Sequence, residues 1–310
     1  MIRVYNWLHK NWGQSRLFFL DLLEATRRDQ TVESSPPPSA ITLETAVSVD
    51  TIKHFHSAAL HNHRTIEVFL PPAYASDTTQ HYKVLYANDG QDMTALELKT
   101  SLEKLYADGK IENIIVVAIY ATHERVKEYG VAGIPNSLGQ GNKAKFYGQF
   151  LLGEVMPYIQ RNYRVREGAA NTAIMGASLA GLAAFDLTWQ HPSLFGKVGV
   201  FSGSFWWRSD DSSVVAKQNS RIMHKVVRES NKPEGLKMWF QAGTEDEAND
   251  RDNNGVIDAI QDTTELMDEL RHKGYRDGAE MVYREVVGGK HNQTTWAEVL
   301  PEFLGWAFPA

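Results

Sequence analysis

The sequence predicts an α/β protein: a mostly parallel central sheet with helices on both faces. Three observations carry that expectation. From Ile41 onward, short apolar runs alternate with longer stretches of helical periodicity. The most apolar run, Ile114-Ile-Val-Val-Ala-Ile119, has no polar face and suits a strand covered on both sides. With 310 residues, 43% of them hydrophobic and 23% charged, the chain can bury one large core.

Each element follows from local pattern. Residues 1–40 stand apart as an N-terminal segment. Arg16-Leu-Phe-Phe-Leu20, broken by Asp21 and Glu24, predicts a short amphipathic helix rather than a signal peptide. The linker Thr31–Ala40 carries three consecutive prolines that stop any helix. The main domain therefore spans 41–310. Thr42–His54 and Thr65–Leu70 predict an antiparallel strand pair, ended by Pro71-Pro72. Lys83–Ala87 is a strand, followed by the turn Asn88-Asp-Gly-Gln91. Apolar positions 98, 102 and 105 predict a helix over Leu96–Ala107. After the Ile114–Ile119 strand, Phe146, Phe150, Val155 and Ile159 set a helix over Lys143–Tyr163. Strands follow at Thr172–Met175, Lys197–Phe201, Lys237–Ala242 and Glu280–Val287, with helices at Leu179–Gln190, Thr263–Lys273 and Trp296–Phe308.

Several function classes fall away. A net charge of −6 with no basic block argues against nucleic acid as a partner. No apolar run is long enough to cross a bilayer. The absence of cysteine removes a thiol nucleophile, thiolate metal sites and disulfides. The expected location is the cytoplasm.

The chemistry concentrates in Gly176-Ala-Ser-Leu-Ala-Gly181, between a strand and a helix. A serine there must sit on a sharp turn, and small flanking residues keep strand and helix from clashing. Those are the mechanics of a nucleophile elbow, here with Ala180 where a second glycine is usual. A serine hydroxyl needs a base, and the base an orienting acid, in the order Ser, acid, His. Gly243-Thr-Glu-Asp-Glu247 places acids just past a strand end, and Gly288-Gly-Lys-His-Asn292 places His291 past the last strand. Two amide N–H groups should hold the oxyanion: Leu179, directly after the serine, and Gln91 on the turn after the earlier strand.

With those residues in place, the chain resembles the Putative esterase family of the α/β-hydrolase superfamily, which includes enterochelin and feruloyl esterases and mycolyltransferases. The resemblance covers about residues 45–308. It rests on Arg64-Thr-Ile-Glu-Val-Phe-Leu-Pro-Pro72, Val84-Leu-Tyr-Ala-Asn-Asp-Gly-Gln91, Gly176–Gly181, Gly199-Val-Phe-Ser-Gly-Ser204, Gly243–Glu247 and Gly288-Gly-Lys-His291. It implies an α/β-hydrolase fold and ester cleavage on a small-molecule substrate, with Ser178 as nucleophile, Asp246 as acid and His291 as base. Glu247, adjacent to Asp246, is the rival acid. Acyl transfer to a hydroxyl acceptor would use the same groups, and a non-catalytic binding module would keep the fold without turnover.

The ester chemistry requires no cofactor. A Ca²⁺ loop is nonetheless written at Asp250–Asp258. Asp250, Asp252 and Asn254 take positions 1, 3 and 5, Val256 offers its carbonyl at 7, and Asp258 stands at 9, with Gln261 where a bidentate Glu is expected. Trp206 and Trp207, past the Gly199–Ser204 segment, and Arg125 and Tyr129, past the Ile114 strand, are the expected substrate-contacting side chains.

Overall fold

The computed structural model describes residues 46–310. The expectations for the N-terminal segment and for the start of the first strand lie outside the described residues.

The chain opens with the antiparallel hairpin β1 (Ser48–Ser57) and β2 (Asn62–Leu70). Next come β3 (Lys83–Asn88), α1 (Leu98–Ala107), β4 (Ile114–Ile119) and the short α2 (Arg125–Glu128). The region expected as one helix over Lys143–Tyr163 is α3 (Ala144–Phe150) and α4 (Met156–Asn162), joined by a π turn over Leu151–Val155. Pro157 accounts for the interruption: it has no N–H for the Gly153 carbonyl one turn back, and the wider turn absorbs the mismatch. Then follow β5 (Thr172–Ala177), α5 (Leu179–Gln190), β6 (Lys197–Phe201), α6 (Val214–Asn219), α7 (Ile222–Glu229) and β7 (Lys237–Glu245). The chain closes with α8 (Asp258–His272), β8 (Met281–Lys290) and α9 (Gln293–Ala307). Helix α8 starts five residues earlier than its apolar spacing suggested, with Asp258 in the first turn, where a negative charge favours the helix dipole.

All eight strands form one sheet in the order β1-β2-β4-β3-β5-β6-β7-β8. The β1–β2 and β2–β4 pairs are antiparallel and the rest are parallel. Side chains alternate between two cores, as a two-residue period requires. Val84 and Tyr86 of β3 join the layer that holds Phe150 and Phe185, whereas Leu85 and Ala87 join the layer of Leu102 and Phe303. Six-residue β4 does the same and is buried at every position, which explains its unbroken apolar sequence.

Topology locates the site. From β3 the chain steps outward to β4, then returns to the other side of β3 to form β5. The switch point lies between β3 and β5, so the crevice past their C-terminal ends is where a ligand of an open α/β sheet binds. The Asn88–Gln91 turn leaves one of these strands and the serine turn leaves the other.

Candidate active site

Ser178 stands between the last residue of β5 and the first of α5, with φ 57° and ψ −125°. A side chain rarely adopts such a backbone, and strain of this kind marks functional turns. The surroundings enforce it. The Ser178 N–H donates to Phe201 O at 2.9 Å, and Ser178 O accepts from the Gly181, Leu182 and Ser204 N–H groups at 3.1, 3.1 and 3.2 Å. Gly176 is the tight point: a Cβ there would lie 2.4 Å from the Ala180 carbonyl carbon and oxygen. The Ala180 methyl itself is accommodated and fully buried, which explains why the second flanking position tolerates alanine. Its carbonyl accepts from Asn88 Nδ2 at 3.0 Å, tying the elbow to the end of β3. Gly176→Ala is expected to cost about 3 kcal/mol through overpacking against backbone that cannot yield. A thermal melt should show Tm lower by roughly 5 °C or more; an unchanged Tm would mean the elbow can relax.

The loop after β3 turns through Asp89 (φ 55°) into a single 3-10 turn, Gly90–Asp92. Gly90 lies flat on β4, since a Cβ there would come within 2.7 Å of the Ala118 carbonyl carbon. The Gln91 side chain is spent on the loop itself: Oε1 accepts from the Ala121 N–H at 2.9 Å and Nε2 donates to Asp89 Oδ1 at 3.2 Å. Leu179 is the first residue of its helix, so its N–H has no acceptor within that helix.

Arg125 and Tyr129 secure this loop. Arg125 grips Asp89 with Nε at 2.9 Å from Oδ1 and Nη2 at 2.6 Å from Oδ2. The Asp89 N–H donates to the Tyr129 hydroxyl at 3.2 Å. Tyr129 is fully buried, so the expectation that it contacts substrate is corrected: the ring packs edge-on to Tyr147 at 5.0 Å and belongs to the core. Arg125 keeps 30% of its side chain exposed and lies near enough to His291 to act on its charge.

The candidate acid and base follow β7 and β8, the last two parallel strands of the sheet. Asp246 follows β7 and His291 follows β8, and the ladder between these strands is irregular between Gly243 and Glu245. The Asp246 side chain is fully buried. Its Oδ1 accepts from Ser202 Oγ at 3.0 Å and its Oδ2 from the Gly243 N–H at 3.2 Å. His291 Nδ1 lies 3.9 Å from Oδ1, facing it but beyond hydrogen-bond length. Such contacts are often long without substrate and tighten in the reacting complex. Burial raises the Asp246 pKa above its ordinary value, opposed by the Ser202 and Gly243 hydrogen bonds and by His291. Burial lowers that of His291, with Asp246 pulling it back up and Arg125 pushing it further down. The neighbouring Glu247 instead accepts from Asn249 Nδ2 at 2.7 Å.

These groups line one cleft of about 380 Å³, in which Ser178, Leu179, Trp206, Asp246, Glu247 and His291 meet. Ser204 Oγ approaches Ser178 Oγ at 3.3 Å. Trp206 is 36% exposed and lines the cleft. Trp207 does not, and that expectation is corrected: it is fully buried, with its ring against the backbone of Gly130 and Gly141. Adjacent side chains on this turn point opposite ways, and only one of the two faces the opening. Sequence reasoning missed Ser202, Ser204 and Trp296. The first two lie in the Gly199–Ser204 segment, and Trp296 lies one helical turn past the base.

In the Asp250–Asp258 loop the candidate ligands carry hydrogen bonds of their own. Asp250 accepts from the Asn254 and Gly255 N–H groups at 3.1 and 2.9 Å, and Asn254 Oδ1 accepts from the Val256 N–H at 2.8 Å. Asp252 takes a hydrogen bond from Gln261 Nε2 at 3.0 Å. Asp258 faces Arg251 at 3.2 Å, and the same guanidinium reaches Asp262 at 2.7 Å. Among the described residues no group of three or more His, Cys, Asp or Glu side chains converges as metal ligands would.

A mostly parallel eight-stranded sheet, with a serine on a strained turn at its switch point and an acid and a histidine after its last strands, defines an α/β-hydrolase-type esterase fold. The chain belongs to the Putative esterase family, whose profile matches residues 57–307. It is 28% identical over 162 residues to the endo-1,4-beta-xylanase/feruloyl esterase of Xylanibacter ruminicola, covering 48% of this chain and 21% of that one. It is 25% identical over 150 residues to the uncharacterized protein YbbA of Bacillus subtilis, covering 47% and 59%. The chain thus spans less than two thirds of the length of both relatives. Among solved structures, the enterochelin esterase of Shigella flexneri superposes with a TM-score of 0.66 at 18% identity, covering 87% of this chain and 60% of that one. At that identity the likeness shows the shared fold.

Proposed function

We propose that this chain is a serine carboxylic ester hydrolase. Ser178 Oγ attacks the ester carbonyl carbon as its proton passes to His291 Nε2. Asp246 faces Nδ1 and stabilises the imidazolium. The negative charge on the carbonyl oxygen is taken by the Leu179 and Gln91 N–H groups. Collapse expels the alcohol, which leaves with the proton from His291. Water, deprotonated by the same imidazole, then releases the acid and restores Ser178. The observation that carries this reading is the backbone of Ser178: φ 57° and ψ −125° on a non-glycine residue, strain kept where a hydroxyl lines a cleft with a histidine.

Fluorophosphonate labelling tests it. The wild-type protein is expected to incorporate one equivalent at Ser178, identified by peptide mass, and no incorporation would favour a non-catalytic binding role. The substrate class proposed is a small-molecule ester of the carbohydrate, feruloyl or acetyl, or siderophore type, supported by the feruloyl and enterochelin esterases among the relatives.

The reaction so drawn uses no cofactor. Chelation is expected to leave kcat/KM for an aryl acetate unchanged. Calcium at the Asp250 loop would act on stability alone and would first have to draw Asp258 from Arg251, so it should appear as a Tm that rises with added Ca²⁺.

A further inference from the structure

The acid is not held by its histidine. At 3.9 Å the His291 contact is too long to orient the carboxylate, and the short contacts come from Ser202 Oγ and the Gly243 N–H. Ser202 is an unusual residue. It follows β6 with φ 46°, is buried, and donates its N–H to Gln241 O at 2.8 Å. Its hydroxyl has three neighbours: Trp296 Nε1 at 2.9 Å, Asp246 Oδ1 at 3.0 Å and Gln241 Oε1 at 3.4 Å.

The proton order among these atoms follows from their chemistry. An indole N–H only donates, so Ser202 Oγ must accept from Trp296. Its single proton then goes to the nearer, charged acceptor, Asp246 Oδ1. Turning the Gln241 amide over would add a second donor to Oγ and leave that proton where it is. A directed relay results, from Trp296 N–H to Ser202 O–H to the Asp246 carboxylate. The same indole also stands edge-on to the His291 ring, at 5.3 Å and 81°. One side chain of α9 therefore touches both the base and the support of the acid.

We propose that Ser202 and Trp296 are positioning residues of the esterase, a relay that turns Asp246 Oδ1 toward His291 Nδ1 and sets the tilt of the imidazole before substrate arrives. The proposal rests on the esterase reading above. It accounts for a left-handed serine just past the strand between nucleophile and acid, and for a buried indole N–H aimed at a hydroxyl rather than at backbone.

The test is the pH dependence of kcat/KM for Ser202→Ala, Trp296→Phe and the double variant. Phenylalanine keeps an aromatic ring beside His291 but deletes the N–H together with part of the indole volume, so the shift in the acid limb, not the loss of turnover, is the decisive readout. The groups facing the pair are Arg125, near His291, Tyr283 of β8, near Asp246, Glu247 in the cleft, and the Glu245–Lys290 pair at the strand ends. None of them is altered. In the wild type the acid limb belongs to His291, which must be neutral to accept a proton, and burial keeps that limb below the ordinary histidine range. Deleting a donor to the carboxylate disfavours its charged form, so the coupled pair holds its protons to higher pH. The acid limb is expected to move up by roughly half a pH unit or more in each single variant. Turnover is expected to fall about tenfold or more with little change in KM. The double variant should lose no more than the worse single one, because both remove the same relay.

An unmoved acid limb, or losses that multiply in the double variant, would overturn the proposal even if activity falls. Fluorophosphonate labelling and aryl acetate turnover of the wild type separate the two levels. If both are present and the limb does not move, the relay is wrong and the esterase stands. If both are absent, the esterase reading fails and the relay fails with it.

Discussion

Ser178→Ala is expected to reduce kcat/KM for an aryl acetate by about 10⁴-fold or more, to a residual rate that owes nothing to an acyl-enzyme. The size follows from geometry. Deleting the hydroxyl leaves His291 with no proton to take, and the oxyanion N–H groups stabilise a carbonyl that nothing attacks. Ser204 is no substitute, although its Oγ lies 3.3 Å from that of Ser178. It is 2% exposed and its own N–H is committed to Ser178 O, so it stays beneath the reacting position. The fold should be indifferent, since alanine meets the same φ 57° and fills less space. Progress curves at matched folded fraction, read from near-UV circular dichroism, check this. Equal wild-type and variant rates would return the Gly176–Gly181 turn to a packing role.

Asp246→Asn is expected to cost about 10³- to 10⁴-fold in kcat, while Glu247→Gln should change it less than about threefold. An asparagine keeps the shape but removes the charge that stabilises the imidazolium, and its amide group can present a donor to Nδ1 and favour the wrong tautomer. Asp246 is the acid whose oxygen faces His291, fully buried and met by two donors. Glu247 lines the same cleft but points at Asn249. The side-by-side kinetics of the two variants decide between adjacent acids that spacing alone left open. A larger loss in Glu247→Gln would reverse the assignment.

Most of the architecture was legible because it rests on local rules. Strand and helix periods placed strands β3 to β8 and helices α1, α5 and α9 within a few residues, whereas helices α2, α6 and α7 were too short to carry a sustained period and were not anticipated; the small-residue run at Gly176 marked the serine turn. What escaped depends on which way a side chain leaves the backbone. Trp206 and Trp207 are adjacent, yet one opens to the cleft and the other lies against Gly130 and Gly141. Tyr129 sits on a loop at the correct end of the sheet but turns inward to hold Asp89. Asp250, Asp252 and Asn254 have the spacing of ion ligands; that they also accept hydrogen bonds from backbone N–H groups and Gln261, and that Asp258 pairs with Arg251, is not visible in spacing. Ser202 and Trp296 lie 94 positions apart, and no periodicity links them. Such contacts exist only once β6 and α9 are packed.

The placement of the site along the sheet has a consequence for how the protein fails. Ser178 and the Asn88–Gln91 loop grow from β5 and β3, each flanked by strands on both sides, whereas His291 hangs from β8, which has a single strand neighbour and many exposed positions. Fraying of a border strand requires far less free energy than global unfolding. The end of the sheet that carries His291 is therefore expected to open at a lower temperature than the end that carries Ser178. Activity is therefore expected to fall before global unfolding on warming and to return on cooling, and turnover read beside near-UV circular dichroism through one melt checks this; coincident curves would mean that β8 unfolds with the core.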